Sequence, residues 1–353
     1  MGKQMKDLRI FGMEGSKCYA SKVARLLGLR LSPTIEKTFP DGEPYIKSDV
    51  GSLGNVRDCD CYIVCSLFSN SRESVNDKFV KLCFFIGSLR DASARRVTVV
   101  APYLAYQRQD RKTESRAGIH TKYSAEMIEA VAKHMKVRLI TMDVHNLSAF
   151  QNSAPYPVDH LEAKNLFADF LCGGTDRIHG HAIEEHVPDL LQVGDPNIVV
   201  LSPDSGGLGR AKVFRKALEQ RLDLRNQIEA LALDKQRHND GEVEGGHISG
   251  EISGKKVIIY DDVIASGGTI ALCSETVEKQ GGDVYAVCAT HFLPTPSTRD
   301  RLARAKKVVI TDTVPVQSEE KWDGLYIVKS TEMFAESIRC TYYAGSISEL
   351  LEN

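Results

Sequence analysis

The chain has 353 residues, more than one hydrophobic core usually serves, so two domains are expected. Its 45 Lys+Arg against 47 Asp+Glu leave it close to neutral, without the basic excess typical of proteins that bind nucleic acid or membrane surfaces. No nucleic acid and no membrane is therefore expected among its partners, and small-molecule chemistry is the starting expectation.

The first residues, "MGKQMKDLRIFG", hold no apolar core of signal-peptide length, and Lys6 stands where a myristoylation signal needs Ser or Thr. A cytoplasmic location is expected. The most apolar stretch, "LCFFIG", falls far short of the ~20 residues of a membrane span and reads as part of a buried helix. Nine cysteines, an odd number spread thinly, suit a reducing compartment better than a disulfide framework. Cys59, Cys61 and Cys65 fall together on a strand-like segment, with no second ligand pair of the kind a zinc site needs. His179, His181 and His186 in "RIHGHAIEEH" imitate a ligand set, but their flanks read as a solvated polar excursion.

Further along, β-branched runs alternate with segments of helical length. The runs "RVTVVAPY", "VRLITMDVH", "NIVVLSPD", "KVIIYDDV", "DVYAVCATH" and "KVVITDTV" are apolar without alternation, as expected for parallel strands covered on both faces. The fold class is thus α/β, mostly parallel sheets flanked by helices. Most runs end in polar residues: Asp143 and His145, Asp204, Asp261 and Asp262, His291, Asp312. Ligands of open α/β sheets bind beyond the carboxyl ends of the strands, although a single Asp there serves equally as a turn former or helix cap. No linker of distinctive composition separates the halves; the boundary is set near residue 160, giving domains 1–160 and 161–353.

In "VIIYDDVIASGGTI", Val257 to Ile270, an apolar run stops at two carboxylates and then reaches a Gly pair and a helix start near Thr269. Such a turn aims backbone N–H groups and the positive end of a helix dipole at one point, which is a phosphate cradle. It lacks the spacing and lysine of the nucleotide-hydrolase P-loop, and "GGLGRAK" at Gly206 to Lys212 fails the dinucleotide fingerprint. The adjacent acids suit a ligand that also offers hydroxyls, such as a sugar phosphate, which they accept directly or through a divalent ion.

"VIIYDDVIASGGT" resembles the ribose-phosphate loop of the phosphoribosyltransferase fold, and the chain resembles the ribose-phosphate pyrophosphokinases of that superfamily along nearly its whole length. The further matches are "FPDGE", "PYLAYQRQDRK", "TMDVH", "SPDSGG" and "FAESIRCTYYAGSISELL", in the family's order. The resemblance implies two tandem phosphoribosyltransferase-like domains, ATP as co-substrate, Mg2+, and transfer of pyrophosphate to the C1 hydroxyl of ribose 5-phosphate. It implies that Phe39, Asp41 and Glu43 contact adenine across a subunit boundary, hence a homo-oligomer built from dimers, in the family's usual arrangement a hexamer. Arg108, Gln109 and Asp110 would hold ATP, His145 and Asp204 the metal, Asp261 and Asp262 the ribose hydroxyls, and Ala265, Ser266, Gly267, Gly268 and Thr269 the 5-phosphate. "LDKQRHNDGEVEGGHISGEISG" reads as a mobile lid that brings Lys235 and Arg237 onto the transferred phosphates. Taken without the resemblance, "FPDGE" is turn chemistry, "QRQDRK" a solvated charge run, and Lys235 and Arg237 two loop cations.

The sequence departs from the family pattern in two places. Ala265 and Ser266 stand where the phosphate loop usually has Asp and Thr, and the chain is longer between Phe167 and Asn197 and differs in "NLSAFQNSAPYP". These changes motivate two alternatives: a pyrophosphokinase acting on another ribosyl acceptor such as ADP-ribose, and a non-catalytic regulatory relative. The retained Lys235, Arg237, His145, Asp204 and acidic pair weigh against the second.

Overall fold

Runs of β-branched residues that lack a polar face must be covered on both sides, and here they line up in parallel as sheet interiors. The computed structural model describes residues 5–49, 51, 55–173, 189–237 and 243–348, which fold as two compact units. The first unit holds β1 (Leu8–Gly12), α1 (Lys17–Leu26), β2 (Thr34–Thr38), β3 (Pro44–Ser48), β4 (Asp60–Val64), α2 (Val75–Asp91), β5 (Arg96–Ala101), α3 (His120–Ala132), β6 (Lys136–Met142), α4 (Leu147–Ser153) and β7 (Val158–Leu161). Its sheet has the order β1-β4-β5-β6-β7, every pair parallel, while β2 and β3 form a separate antiparallel hairpin.

The second unit holds α5 (Lys164–Leu171), β8 (Ile198–Ser202), α6 (Leu208–Arg221), β9 (Glu229–Arg237), β10 (Val243–Ile248), β11 (Lys256–Ile264), α7 (Gly268–Lys279), β12 (Asp283–Phe292), α8 (Thr298–Arg301), β13 (Val308–Thr311) and β14 (Leu325–Val328). The sheet order is β10-β9-β8-β11-β12-β13-β14, parallel except for the β9–β10 pair. The chain then returns: α9 (Thr331–Tyr343) groups with the first unit, not with the second as a simple division at residue 160 implies. Buried Phe334 of α9 meets Tyr19 of α1 edge-on at 6.0 Å, Arg339 donates to the Leu26 carbonyl, and the Tyr62 and Thr341 hydroxyls are 3.1 Å apart. These long-range contacts leave no local sequence signal.

"LCFFIG" lies within α2, with Leu82, Cys83, Phe85 and Ile86 buried, but Phe84 is 54% exposed. The helix starts at a capping box in which Ser74 accepts from the Asp77 amide and Asp77 accepts from the Ser74 amide. Among the described residues no helix is long and apolar enough to cross a membrane.

The expected mobile lid is, where it is described, a strand pair: Lys235 lies opposite Gly246 and Arg237 opposite Val243. Its glycines suggested a loop, but they make room for the neighbouring strand. A Cβ on Gly246 or Gly250 would fall 2.6 Å from Leu233 or Leu231, so their absence lets those side chains pack across. The stretch between Arg237 and Val243 lies outside the described residues.

The β2–β3 hairpin is pinned through a buried carboxylate. Glu36 accepts from the Glu14 amide at 2.9 and 3.1 Å and pairs with Lys81 of α2 at 3.4 Å, while Lys81 also pairs with Glu73. Lys81 and Glu36 side chains are only 4% and 6% exposed, so neither charge has water to fall back on. Lys81→Met should therefore cost about 3 kcal/mol in urea-induced unfolding, because it takes the ion-pair partner from Glu73 and leaves Glu36 with Lys17 at 3.6 Å. An unchanged unfolding midpoint would show that the pair does not anchor the hairpin.

Candidate active site

The acidic pair does not end its strand, as the sequence suggests, but lies inside it. β11 parts from β8 after Ile259, opposite Leu201, yet continues along β12 as far as Ile264, opposite Phe292. Pairing on one side alone is enough to carry Asp261 and Asp262 as strand residues. Successive side chains leave a strand on opposite faces, and Asp262 is buried while Asp261 is partly accessible. One guanidinium serves both: Arg210 of α6 donates to Asp261 at 3.2 Å and to Asp262 at 3.0 Å. The Asp262 amide also donates to the Asp261 carboxylate at 2.9 Å. Burial, and next the charge of Asp262, push the Asp261 carboxyl well above its ordinary range, against the opposing pull of Arg210. Sequence reading missed Arg210, since nothing in "GGLGRAK" shows which carboxylates lie 51 and 52 residues further on.

Ala265 and Ser266 follow the strand, and Gly267 closes the turn with φ +77°, a conformation that glycine adopts readily. α7 begins at Gly268, one residue before the expected Thr269, and no side chain caps its first turn. Gly268 and Thr269 are exposed, so the N–H groups and dipole of that turn are open to an anion. Behind the loop, the Thr298 hydroxyl donates to the Ala265 carbonyl at 2.8 Å and Arg301 to the Ser266 carbonyl at 3.0 Å.

At the end of β8, Asp204 is an exposed turn residue whose carboxylate accepts from the Gly207 amide at 3.0 Å. The neighbouring Ser202 hydroxyl donates to the Asp204 carbonyl, and a Cβ on Gly207 would sit 2.5 Å from that hydroxyl. Lys235 and Arg237 lie in β9, two strands from β11, with β8 between.

In the first unit, Phe39, Asp41 and Glu43 form the tip of the β2–β3 hairpin. The Phe39 amide donates to the Glu43 carbonyl, the Gly42 amide to that of Phe39, and Asp41 accepts from the Glu43 amide. Phe39 is 50% exposed, with Tyr45 edge-on at 6.2 Å. Arg108 is exposed after β5, and Gln109 donates to the Arg111 carbonyl at 2.9 Å. Asp110, partly buried, follows it. His145 is exposed after β6, next to Asp143, whose φ is +38°. Two groups that sequence reading passed over hold this turn: the buried Gln107 accepts from the His145 amide at 2.7 Å, and a His160 ring nitrogen accepts from the Val144 amide at 3.2 Å. Gln107 thereby ties the segment carrying Arg108 to the one carrying His145.

Cys59, Cys61 and Cys65 are buried free thiols of the first core, and burial pushes Cys61 and Cys65 up to about 12. His179, His181 and His186 lie outside the described residues. Among the described residues no three His, Cys, Asp or Glu side chains converge on a metal-sized point. A cavity of about 350 Å³ lies elsewhere, between the amino ends of β5 and β6 and Pro155–Pro157. Its Arg96 and Arg138 pair with Asp60 and Asp159, and none of the predicted site residues lines it.

Both units are mostly parallel sheets flanked by helices, and the second adds an uncapped helix start beside an acidic strand pair, the arrangement expected of a protein of the phosphoribosyltransferase type. Residues 8–147 match the model of the N-terminal domain of ribose phosphate pyrophosphokinase, and residues 177–324 that of the phosphoribosyl transferase domain. The chain is 32% identical to a ribose-phosphate pyrophosphokinase of Caldanaerobacter subterraneus, covering 99% of both chains, and 30% identical to one of Nostoc sp., covering 97% and 93%. It superimposes on the crystal structure of phosphoribosylpyrophosphate synthetase from Mycobacterium smegmatis with a TM-score of 0.79 at 25% identity, over 96% of this chain and 100% of that one. The chain belongs to the ribose-phosphate pyrophosphokinase family.

The raised Asp261 has a consequence for stability. A carboxyl whose folded pKa exceeds its unfolded value favours folding when protonated, so its contribution falls as pH rises from about 4 through the folded value. Asp261→Asn removes that component. Urea titrations between pH 4 and 8 should show a smaller loss of stability with pH in the variant; parallel curves would contradict the raised value.

Proposed function

We propose that this protein transfers the β,γ-pyrophosphoryl unit of ATP to the C1 hydroxyl of ribose 5-phosphate, giving phosphoribosyl pyrophosphate and AMP. The observation that carries the reading is the uncapped start of α7 together with the Asp261–Asp262 pair, which lies within β11 a few residues before it. The first suits a phosphate and the second suits vicinal hydroxyls, two features that ribose 5-phosphate joins in one small molecule.

In this reading the amides of Ser266 to Thr269 hold the 5-phosphate, and Asp261 and Asp262 accept the ribose hydroxyls, displacing Arg210 toward the incoming phosphates. Phe39 stacks on adenine while Asp41 and Glu43 accept from its edge, and Arg108, Gln109 and Asp110 hold the rest of the nucleotide. Lys235 and Arg237 neutralise the charge that develops on the transferred group; phosphoryl transfer depends mainly on such positioning and neutralisation. Magnesium, which keeps most of its waters and binds few protein groups, suits the exposed carboxylate of Asp204; His145, in the first unit, is likewise exposed. Bound there, magnesium would polarise the phosphoryl oxygens.

A homo-oligomer assembled from dimers is part of the proposal, with a hexamer as the family's usual arrangement. It is supported by the exposed Phe39, and by Val80 and Phe84 on one face of α2 and Tyr123 and Met127 on one face of α3, all at least 36% exposed. A cytoplasmic location is supported by free thiols at Cys18, Cys59, Cys61, Cys65 and Cys83.

AMP release from ATP and magnesium, with product masses, tests the reaction. Turnover is expected with ribose 5-phosphate and not without acceptor; turnover with ADP-ribose alone would overturn the acceptor assignment. Lys235→Ala should lower kcat by about 10²-fold or more with little change in ATP affinity, and an unchanged kcat would remove Lys235 from the mechanism. Phe84→Glu should reduce the sedimentation coefficient toward that of a smaller assembly, whereas an unaltered value would exclude this face from the interface.

A further inference from the structure

The phosphate loop carries little that could fix its own shape. Ala265 has no polar side chain, Gly267 and Gly268 have none at all, and Ser266 is exposed. Two glycines in succession make the ordered conformation costly in backbone entropy. The shape must be imposed from outside, and α8 lies where it can do so.

Thr298 is fully buried, and its hydroxyl is fixed at both ends: it accepts from the Thr295 amide at 2.8 Å and donates to the Ala265 carbonyl at 2.8 Å. One turn later Arg301 donates to the Ser266 carbonyl at 3.0 Å. In a trans peptide the C=O and N–H point in opposite directions. Holding the carbonyls of residues 265 and 266 on the α8 side therefore aims the amides of Ser266 and Gly267 away from α8. Those two amides join the unpaired N–H groups of the first turn of α7, making a longer row of donors for one anion. α8 also sits close: a Cβ on Gly267 would be 3.4 Å from the Arg301 Cβ and 3.6 Å from Thr298.

We infer that Thr298 and Arg301 are positioning residues for the acceptor phosphate, acting through the two loop carbonyls. The inference rests on the reading of Ala265–Thr269 as the phosphate site. It names the side chains that shape a loop in which Ala265 and Ser266 stand where the family usually has Asp and Thr.

The test uses Thr298→Val and Arg301→Met in the full chain, with Thr298→Ser as the conservative rescue. Each of the first two should weaken ribose 5-phosphate binding about tenfold by calorimetry, one hydrogen bond's worth, while KM for ATP and kcat at saturating acceptor change by less than about threefold. Amide hydrogen exchange should quicken at residues 266–269 and stay unchanged in the body of α7 at Cys273 and Val277, and Thr298→Ser should restore both readouts. Unchanged ribose 5-phosphate affinity, or exchange that quickens throughout the unit together with a loss of ATP affinity, would overturn the inference. Failure of the wild-type protein to bind or turn over ribose 5-phosphate would count against the proposed function, and with it the phosphate role. The exchange data would still decide whether α8 shapes the loop.

Discussion

Two carboxylates side by side within a mostly buried strand are tolerable only with a cation against them, and Arg210 is that cation. Its position is set by α6, which starts directly after the turn that carries Asp204. One guanidinium thus ties the carboxyl end of β8 to the carboxyl end of β11, and the groups proposed for the metal and for the sugar share a frame. The core gains nothing from the acids: apolar residues at 261 and 262 would pack against β12 without any partner. Their presence, and the push of Asp261 above the ordinary range, are what the proposed ligand site would account for.

Both units place an antiparallel hairpin between the first and second strands of the core order, β2–β3 after β1 and α1, β9–β10 after β8 and α6. The shared plan has been put to different uses. In the second unit the hairpin pairs with β8 and extends the sheet, and the connection from β11 to α7 is three residues with an open helix start. In the first unit the hairpin stands apart, tied down by Glu36 and Lys81. There the connection from β4 to α2 is ten residues long, closed by the Ser74 capping box and filled by Lys78, whose ammonium lies 3.6 Å over the Phe68 ring. That connection, capped at its helix start, lacks the open first turn found after β11, so the proposed 5-phosphate site is placed on the second unit.

The six long apolar runs were legible because parallel strands buried on both faces need no alternation, and each became a strand of the expected sheet. The turn into α7, proposed as the phosphate loop, was legible for a similarly local reason: its glycines and the following helix are contiguous in sequence. What escaped was set by partners far along the chain. The lid composition hid a strand because Gly246 of β10, and Gly250 just after it, answer to Leu233 and Leu231 on β9. Arg210, Gln107, Thr298 and Arg301 act on residues between 33 and 52 positions away, and no spacing rule reaches so far. Domain membership failed at α9 for the same reason, since Phe334 and Arg339 find their partners on α1, more than 300 residues earlier.

The substitutions at 265 and 266 look more disruptive in sequence than in structure. A loop that binds phosphate through its backbone depends on where its N–H groups point, and side chains matter only as far as they hold the peptide planes. In this chain those planes are held from behind, by a threonine and an arginine of α8. Side chains at 265 and 266 are then released from that duty, and Ala and Ser suffice. Selection for a phosphate ligand would act on the pair of contacts rather than on the letters of the loop. Recognition of a bare 5-phosphate is thus compatible with Ala265 and Ser266, and a larger acceptor is not required to explain them.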